Sequence, residues 1–439
     1  MFIRTGRGAM SSLPATYDPL TPVPFDQRPF AARDAFALWF SLGVGLLVLQ
    51  AGALLVPALS LGAALAAIVC GTALGVLLFA AAGVVGADTG LAAMSSLRPS
   101  LGLRGASIPA ILNVIQLVGW GSFEIIVMGE AADTLAKGAI GVEAPLLWIV
   151  LFGVLATAVA ATGPVSFVRR FLRRWGLALI VLASAWLTYA LLAQQDLRGL
   201  FARPGTGGMG FGAAVDIVAA MPLSWLPVVA DYTRFGRSSG AMFRGSALGY
   251  FIANVWFYGI GATYALVSGG EGSIVATLAL AGGGLALFVI LLDETDNAFA
   301  AVHSAAVSSG TMVRAPVPRL ALGIGALCTV LALTVPIAQY EGFLLLIGSV
   351  FAPLFGVALA DHFLVRKRRV DVSEIDRVGG AYWFSGGWRL AGVASWLLGI
   401  AVYHAASYAV PDLGATLPAF LSAGGAFLLL DAASARRRG

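Results

Sequence analysis

The chain has 439 residues, of which 59% are hydrophobic and only 11% are Asp, Glu, Lys or Arg, with 55 glycines and a formal net charge of +5. A soluble domain carries about 25% charged residues, so these proportions exclude one and define a polytopic membrane protein whose small residues let helices approach closely. Cys70 and Cys328 each sit inside an apolar run, which excludes a disulfide framework and gives no redox or zinc site.

Residues 1–33 are polar, contain prolines and lack an apolar core, so they read as a cytoplasmic tail and not as a cleavable signal peptide. A hydrocarbon layer about 30 Å thick takes about 20 helical residues. Twelve segments reach that length: 34–57, 61–86, 106–135, 145–164, 174–193, 211–230, 243–268, 279–308, 317–336, 340–365, 388–409 and 411–431, with 432–439 as a second tail. Of the 27 Lys and Arg, all but Lys137, Arg198 and Arg203 fall in the tails and alternate connections. Cytoplasmic loops hold such an excess, so both termini are expected inside the cell. The positive charge is explained by this asymmetry and gives no reason to invoke nucleic acid.

Span 1 holds "WFSLGVGLLVLQAG", with Gly43 and Gly45 near its middle. Span 6 holds "MPLSWLPVVADYTRF", where Pro222 and Pro227 each remove a helical hydrogen bond, so an unwound stretch is expected around Leu223 to Leu226. Broken helices in corresponding places of two halves point to a transporter site, because half-helix ends offer unpaired backbone groups. Spans 1 and 6 lie five apart, which suggests a repeated five-helix unit over 34–193 and 211–365, with 388–431 outside it.

Span 3 holds "NVIQLVGWGSFEIIVMGEAA". Trp120 and Glu124 share a helix face at i, i+4, with Gln116 a turn earlier. An indole beside a carboxylate offers a stacking surface and an acceptor, which suits a small, planar, nitrogen-rich ligand. The other reading makes Trp120 a packing aromatic and Glu124 the partner of a distant polar group.

Span 8 holds "LLDETDNAFAAVHSAAVS". A carboxylate in a lipid-spanning helix costs about 2.5 to 3.5 kcal/mol, so Asp293, Glu294 and Asp296 are expected to face protein or a wet cavity. Asp293, Asn297 and Ser304 share one face, Asp296 and His303 a second, and Glu294 and Thr295 lie between. One face goes to substrate and another to an ion or to packing. Thr295 and a carboxylate, completed by span 1 carbonyls, suit Na+; a buried carboxylate such as Glu294 suits a proton. His303 reads as a structural histidine.

Five stretches resemble the nucleobase-cation-symport-1 family, and within it the cytosine permeases and hydroxymethylpyrimidine transporters. They are Gly86 to Trp120, "SWLPVVADYTRFGR", "ETDNAFAAVHSAAVS", Phe343 to Arg368 and "GGAYWFSGGWR". The resemblance implies an all-α membrane protein of twelve helices with a LeuT-like fold: two inverted five-helix repeats plus two peripheral helices. It implies substrate contacts at Trp120, Glu124, Pro222, Ser224, Trp225, Asp296 and Asn297, to which the expected site adds Gln116 on the Trp120 stripe and Ser41 in the first break. It implies an ion site at Leu42, Gly45, Glu294 and Thr295, for Na+ or, with Glu294 standing in place of a second hydroxyl, for a proton.

The expected function is import of a pyrimidine by cation symport across the bacterial inner membrane, by a monomer needing no cofactor. Hydroxymethylpyrimidine, a thiamine precursor, is the first substrate expected and cytosine the second. The alternatives are a purine, allantoin or hydantoin symporter, an intramembrane enzyme using Asp293, Glu294 and His303, and a passive channel. The enzyme is disfavoured because His303, His362 and His404 lie on distant spans without metal-ligand spacing. The channel is disfavoured because broken helices around a compact polar site suit occlusion.

Overall fold

The computed structural model describes residues 21–161, 176–193, 195–269, 284–336 and 339–436. The main helices are α1 (Ala32–Ser41), α2 (Leu46–Ala53), α3 (Leu61–Thr89), α4 (Ser107–Ile140), α5 (Pro145–Ala160), α6 (Leu177–Leu192) and α7 (Phe211–Ser224). They continue as α8 (Val229–Thr233), α9 (Ser239–Val267), α10 (Gly284–Gly310), α11 (Val317–Ala332), α12 (Tyr340–Leu359), α13 (Leu390–Ala409) and α14 (Thr416–Arg436). A π-helical turn, Ala360–Val365, prolongs α12.

Helices α3, α4, α9, α13, α14 and the prolonged α12 are each long and apolar enough to cross a bilayer. Helices α1 and α2 are long and apolar enough only as a pair, bent by 61°, while α5, α6, α7 and α11 are shorter apolar helices. With α10, whose three carboxylates lower its hydropathy, they occupy the twelve expected segments. Residues 162–175 and 279–283, at the ends of expected spans 4, 5 and 8, lie outside the described residues.

The helices pack as two groups. Helix α9 lies against α1, α2 and α3, and α3 against α7; separately, α4, α5, α10 and α11 pack on one another. The pattern repeats under a shift of five spans: span 1 meets 7 as span 6 meets 2, and span 3 meets 9 as span 8 meets 4. The contacts are those of two matching five-helix units. Helices α13 and α14 pack on α12, outside both groups. Large apolar side chains such as Leu77, Leu146, Leu182 and Leu285 are exposed on the flanks, where lipid is their solvent.

Two expectations shift. The span 6 break falls at 225–228, two residues later than expected, because α7 accommodates Pro222 and runs to Ser224. Pro227 makes the break: it lacks an N–H and disfavours helical backbone at Leu226 before it. The end of the amino-terminal tail is docked, not free. Val23 N donates to Gly90 O at 2.9 Å, Arg28 Nη1 to Ala87 O at 2.6 Å and Phe30 N to Phe235 O at 2.9 Å. Gly90 has φ +73°, and a Cβ there would lie 2.7 Å from Val23 O, so glycine permits both the turn and the docking.

The end of the molecule that begins α4 is rich in arginine. Arg368 and His362 meet Asp88 at 2.7 and 2.9 Å, Arg366 and Arg389 meet Asp361 at 2.8 and 2.6 Å, and Arg98 pairs with Asp376.

Candidate functional site

Each break leaves backbone groups without helical partners, and each is completed by a helix of the other group. At the first break, Leu46 N–H opens α2 and donates to the Glu294 carboxylate. Asn297 Nδ2 donates to Val44 O at 3.3 Å and to Glu294 Oε2 at 2.9 Å. A carboxylate at a helix N-terminus is stabilised by the unpaired N–H groups and the helix dipole. Gly45 allows the approach, since a Cβ there would lie 3.2 Å from both Glu294 oxygens.

At the second break, Val228 N donates to Trp225 O and Asp231 N to Val228 O, one residue short of the α-helical register. The carbonyls of Ser224 and Pro227 are thereby freed. Gln116 Nε2 donates to Ser224 O at 3.2 Å, and Asn113 Nδ2 to Pro227 O at 3.4 Å.

Between the breaks lies a tight cavity, open to the centres of water-sized spheres over only about 20 Å³, room for about one water. From α4 it is lined by Leu117, Trp120 and Glu124, and from the first break by Leu42, Gly45, Leu47 and Val48. The second break adds Met221, Ser224 and Trp225, and α10 adds Asn297 and Ala301. Trp120 is held edge-on by Tyr340 and Phe343, with ring centroids at 5.8 and 5.6 Å, and its Nε1 has no hydrogen-bond partner. Glu124 is buried with Oε2 likewise unpartnered. Trp225 Nε1 donates to Tyr250 Oη at 2.9 Å, and Trp39 packs edge-on behind it at 5.6 Å.

Of the residues expected at substrate, Trp120, Glu124, Ser224, Trp225 and Asn297 line the cavity. Leu42 and Gly45, expected at the ion, line it too. Ser41 lies outside the lining and donates to Asp293 Oδ1 at 2.7 Å. Asp296 is 1% exposed, with neither carboxylate oxygen partnered, and is not in the lining. Pro222 stands against α3, where a Cβ on Gly75 would come within 2.4 Å of its ring. Gln116 binds the break and Asn113 rather than the cavity space.

Of the expected ion set, Leu42, Gly45 and Glu294 lie at the first break. Thr295 is half-buried and shares its helix stripe with Phe288 and Leu292, both exposed on the outer flank. His303 is structural, as expected: Nδ1 lies 3.2 Å from Ala160 O and the ring stacks on Phe299. Among the described residues no group of three or more His, Cys, Asp or Glu could hold a metal ion.

Sequence reasoning missed Asn113, Tyr340 and Phe343. Asn113 was visible as a polar residue one turn before Gln116 on the same stripe. Nothing in the sequence near span 3 signals that two aromatics opening span 10 brace Trp120.

Two broken helices flanking a buried cavity, on a five-plus-five scaffold, define a membrane transporter of the LeuT-like class. The chain belongs to the family described as permease for cytosine/purines, uracil, thiamine and allantoin, whose model matches residues 22–426. It is 23% identical over 422 residues to the hydantoin permease of Microbacterium maritypicum, covering 89% of this chain and 84% of that protein. It is 25% identical over 332 residues to the cytosine permease of Escherichia coli strain K12, covering 73% of each. Among solved structures it is similar to Mhp1, a nucleobase-cation-symport-1 family transporter in a closed conformation with bromovinylhydantoin bound. The TM-score there is 0.82 at 21% identity, over 94% of both chains. A Na+-coupled sialic acid symporter shares the fold with a TM-score of 0.62 at 12% identity, over 92% of this chain and 89% of that one. The protein is a permease and not an enzyme.

Proposed function

We propose that the protein imports 4-amino-5-hydroxymethyl-2-methylpyrimidine, with cytosine as a weaker substrate. The observation that carries this is Glu124 Oε2, a buried acceptor without a partner, one turn from the Trp120 ring and facing the same cavity. Glu124 hydrogen-bonds to Glu294, so a proton lies between the two carboxyls and the free Oε2 is left to accept. The favoured pyrimidine presents two neighbouring donors, its amino and hydroxymethyl groups, on one edge. Cytosine presents a donor beside the acceptor ring nitrogen, and only one of these suits a carboxylate. The ring stacks on Trp120, and Asn297, whose amide hydrogens are engaged, has its oxygen left to accept the second amino hydrogen.

Import is driven by a gradient of Na+ or of protons, acting where the first break meets α10. The chain works as a monomer in the bacterial inner membrane with both termini in the cytoplasm. Uptake of the labelled pyrimidine into proteoliposomes, under an inward Na+ gradient or an inward proton gradient, tests the reading. Accumulation under one gradient, poorly inhibited by excess cytosine, is the expected result. Accumulation blocked by hydantoin, allantoin or a purine instead would assign the substrate to the chemistry named for the relatives.

A further inference from the structure

Asn113 and Gln116 carry four amide hydrogens between them, and all four are placed. Asn113 Nδ2 donates to Pro227 O and, at 2.7 Å, to Ser308 Oγ; Gln116 Nε2 donates to Ser224 O and, at 2.8 Å, to Asn113 Oδ1. Asn113 is 0% exposed and Gln116 3%. The chain of bonds runs from α10 through α4 to both carbonyls freed at the second break. It therefore joins one helix group to the other at the place where the second group is least regular.

Its position is as informative as its chemistry. Gln116 stands one turn, and Asn113 two turns, from Trp120 toward the arginine-rich end. Beyond them in that direction lies a second space of about 360 Å³, lined by Arg98, Arg104, Ser107, Thr311 and Met312 among others. Ser107 is on α4 ahead of Asn113, and Thr311 follows Ser308 by three residues. The two amides thus stand between the upper cavity and the lower space.

We propose that Asn113 and Gln116 are a latch that closes the substrate cavity toward the arginine-rich end. The second break can swing from α4 only when the amides release Ser224 O and Pro227 O. The bonds are neutral and few, so the latch holds without trapping the closed state: a net bond is worth about fivefold in an equilibrium. The same bonds position Ser224 and Trp225 in the cavity wall. The proposal extends the transport reading but its test needs no substrate, so failure of the pyrimidine assignment and failure of the latch are separate results.

A reporter Ala301→Cys, in the cavity wall, is placed in a chain carrying Cys70→Ala and Cys328→Ala. Proteoliposomes are labelled with a membrane-impermeant maleimide from each side, and a second reporter, Val378→Cys in the exposed arginine-rich loop, identifies the side. Gln116→Leu and Asn113→Leu should each raise labelling of the cavity cysteine from the arginine-rich side about fivefold, and lower it from the other. A merely structural role would reduce stability and uptake while leaving the ratio between the two sides unchanged. Should a leucine variant fail to insert, Gln116→Met and Asn113→Ala lose the donors without adding a charge or an O–H and carry the same expectation. An unchanged ratio in either pair overturns the latch.

Discussion

The two breaks solve one problem with different chemistry. The first is completed by a carboxylate, Glu294, on the N–H that opens α2; the second by neutral amides, Asn113 and Gln116, on carbonyls that Pro227 sets free. A hydrogen bond to a charged group is worth about 1.5 to 3 kcal/mol and a neutral one about 0.5 to 1.5. The first break is therefore clamped and the second only latched. The comparison assigns the larger motion to the second break and the sensitivity to charge to the first.

The largest effect is expected at the clamp. Glu294→Ala strips Leu46 N–H and Asn297 of their acceptor in a buried site and should lower uptake about 10- to 100-fold, from a loss of about 1.5 to 3 kcal/mol. Amounts of inserted protein measured beside transport rate check this. Uptake near the wild-type rate would show that the first break needs no clamp. Trp120→Ala comes next. Losing the stacking face should raise KM about tenfold, and a substrate titration reads it, with an unchanged KM placing the ring elsewhere. The smallest effect belongs to Thr295→Val, on the helix stripe of the outer flank. Uptake within about twofold of wild type is expected, since surface changes fall within about 0.5 kcal/mol. A collapse of Na+-driven uptake in that variant would mean that Thr295 turns inward in another state of the transport cycle.

Much of this was legible because breaks and membrane-embedded carboxylates are costly and therefore conspicuous. Gly43, Gly45, Pro222 and Pro227 marked both irregular stretches, and the i, i+4 spacing of Trp120 and Glu124 placed two cavity residues on one face. Direction within α10 was not legible. Glu294 and Thr295 are adjacent, yet one turn of about 100° per residue sends one to the break and the other to the flank. The same limit sent Asp296 away from the cavity and Asn297 into it. Gln116 was read as a ligand contact because its stripe was right; its amide is instead spent on the carbonyl of Ser224, a partner 108 residues away. The docked segment from Val23 to Phe30 was invisible for a similar reason, since its bonds, from two backbone N–H groups and the Arg28 side chain, go to backbone carbonyls at the ends of α3 and α8.

The most direct measurement compares inhibition of labelled hydroxymethylpyrimidine uptake by cytosine in the wild type and in Glu124→Gln. A carboxamide offers a donor as well as an acceptor and so matches the cytosine edge. If Glu124 reads two neighbouring donors, the wild type prefers the hydroxymethyl compound, and the preference falls about tenfold in the variant, for one charge-assisted bond lost. An identical preference in both proteins would contradict the assignment of Glu124 as the group that selects the substrate.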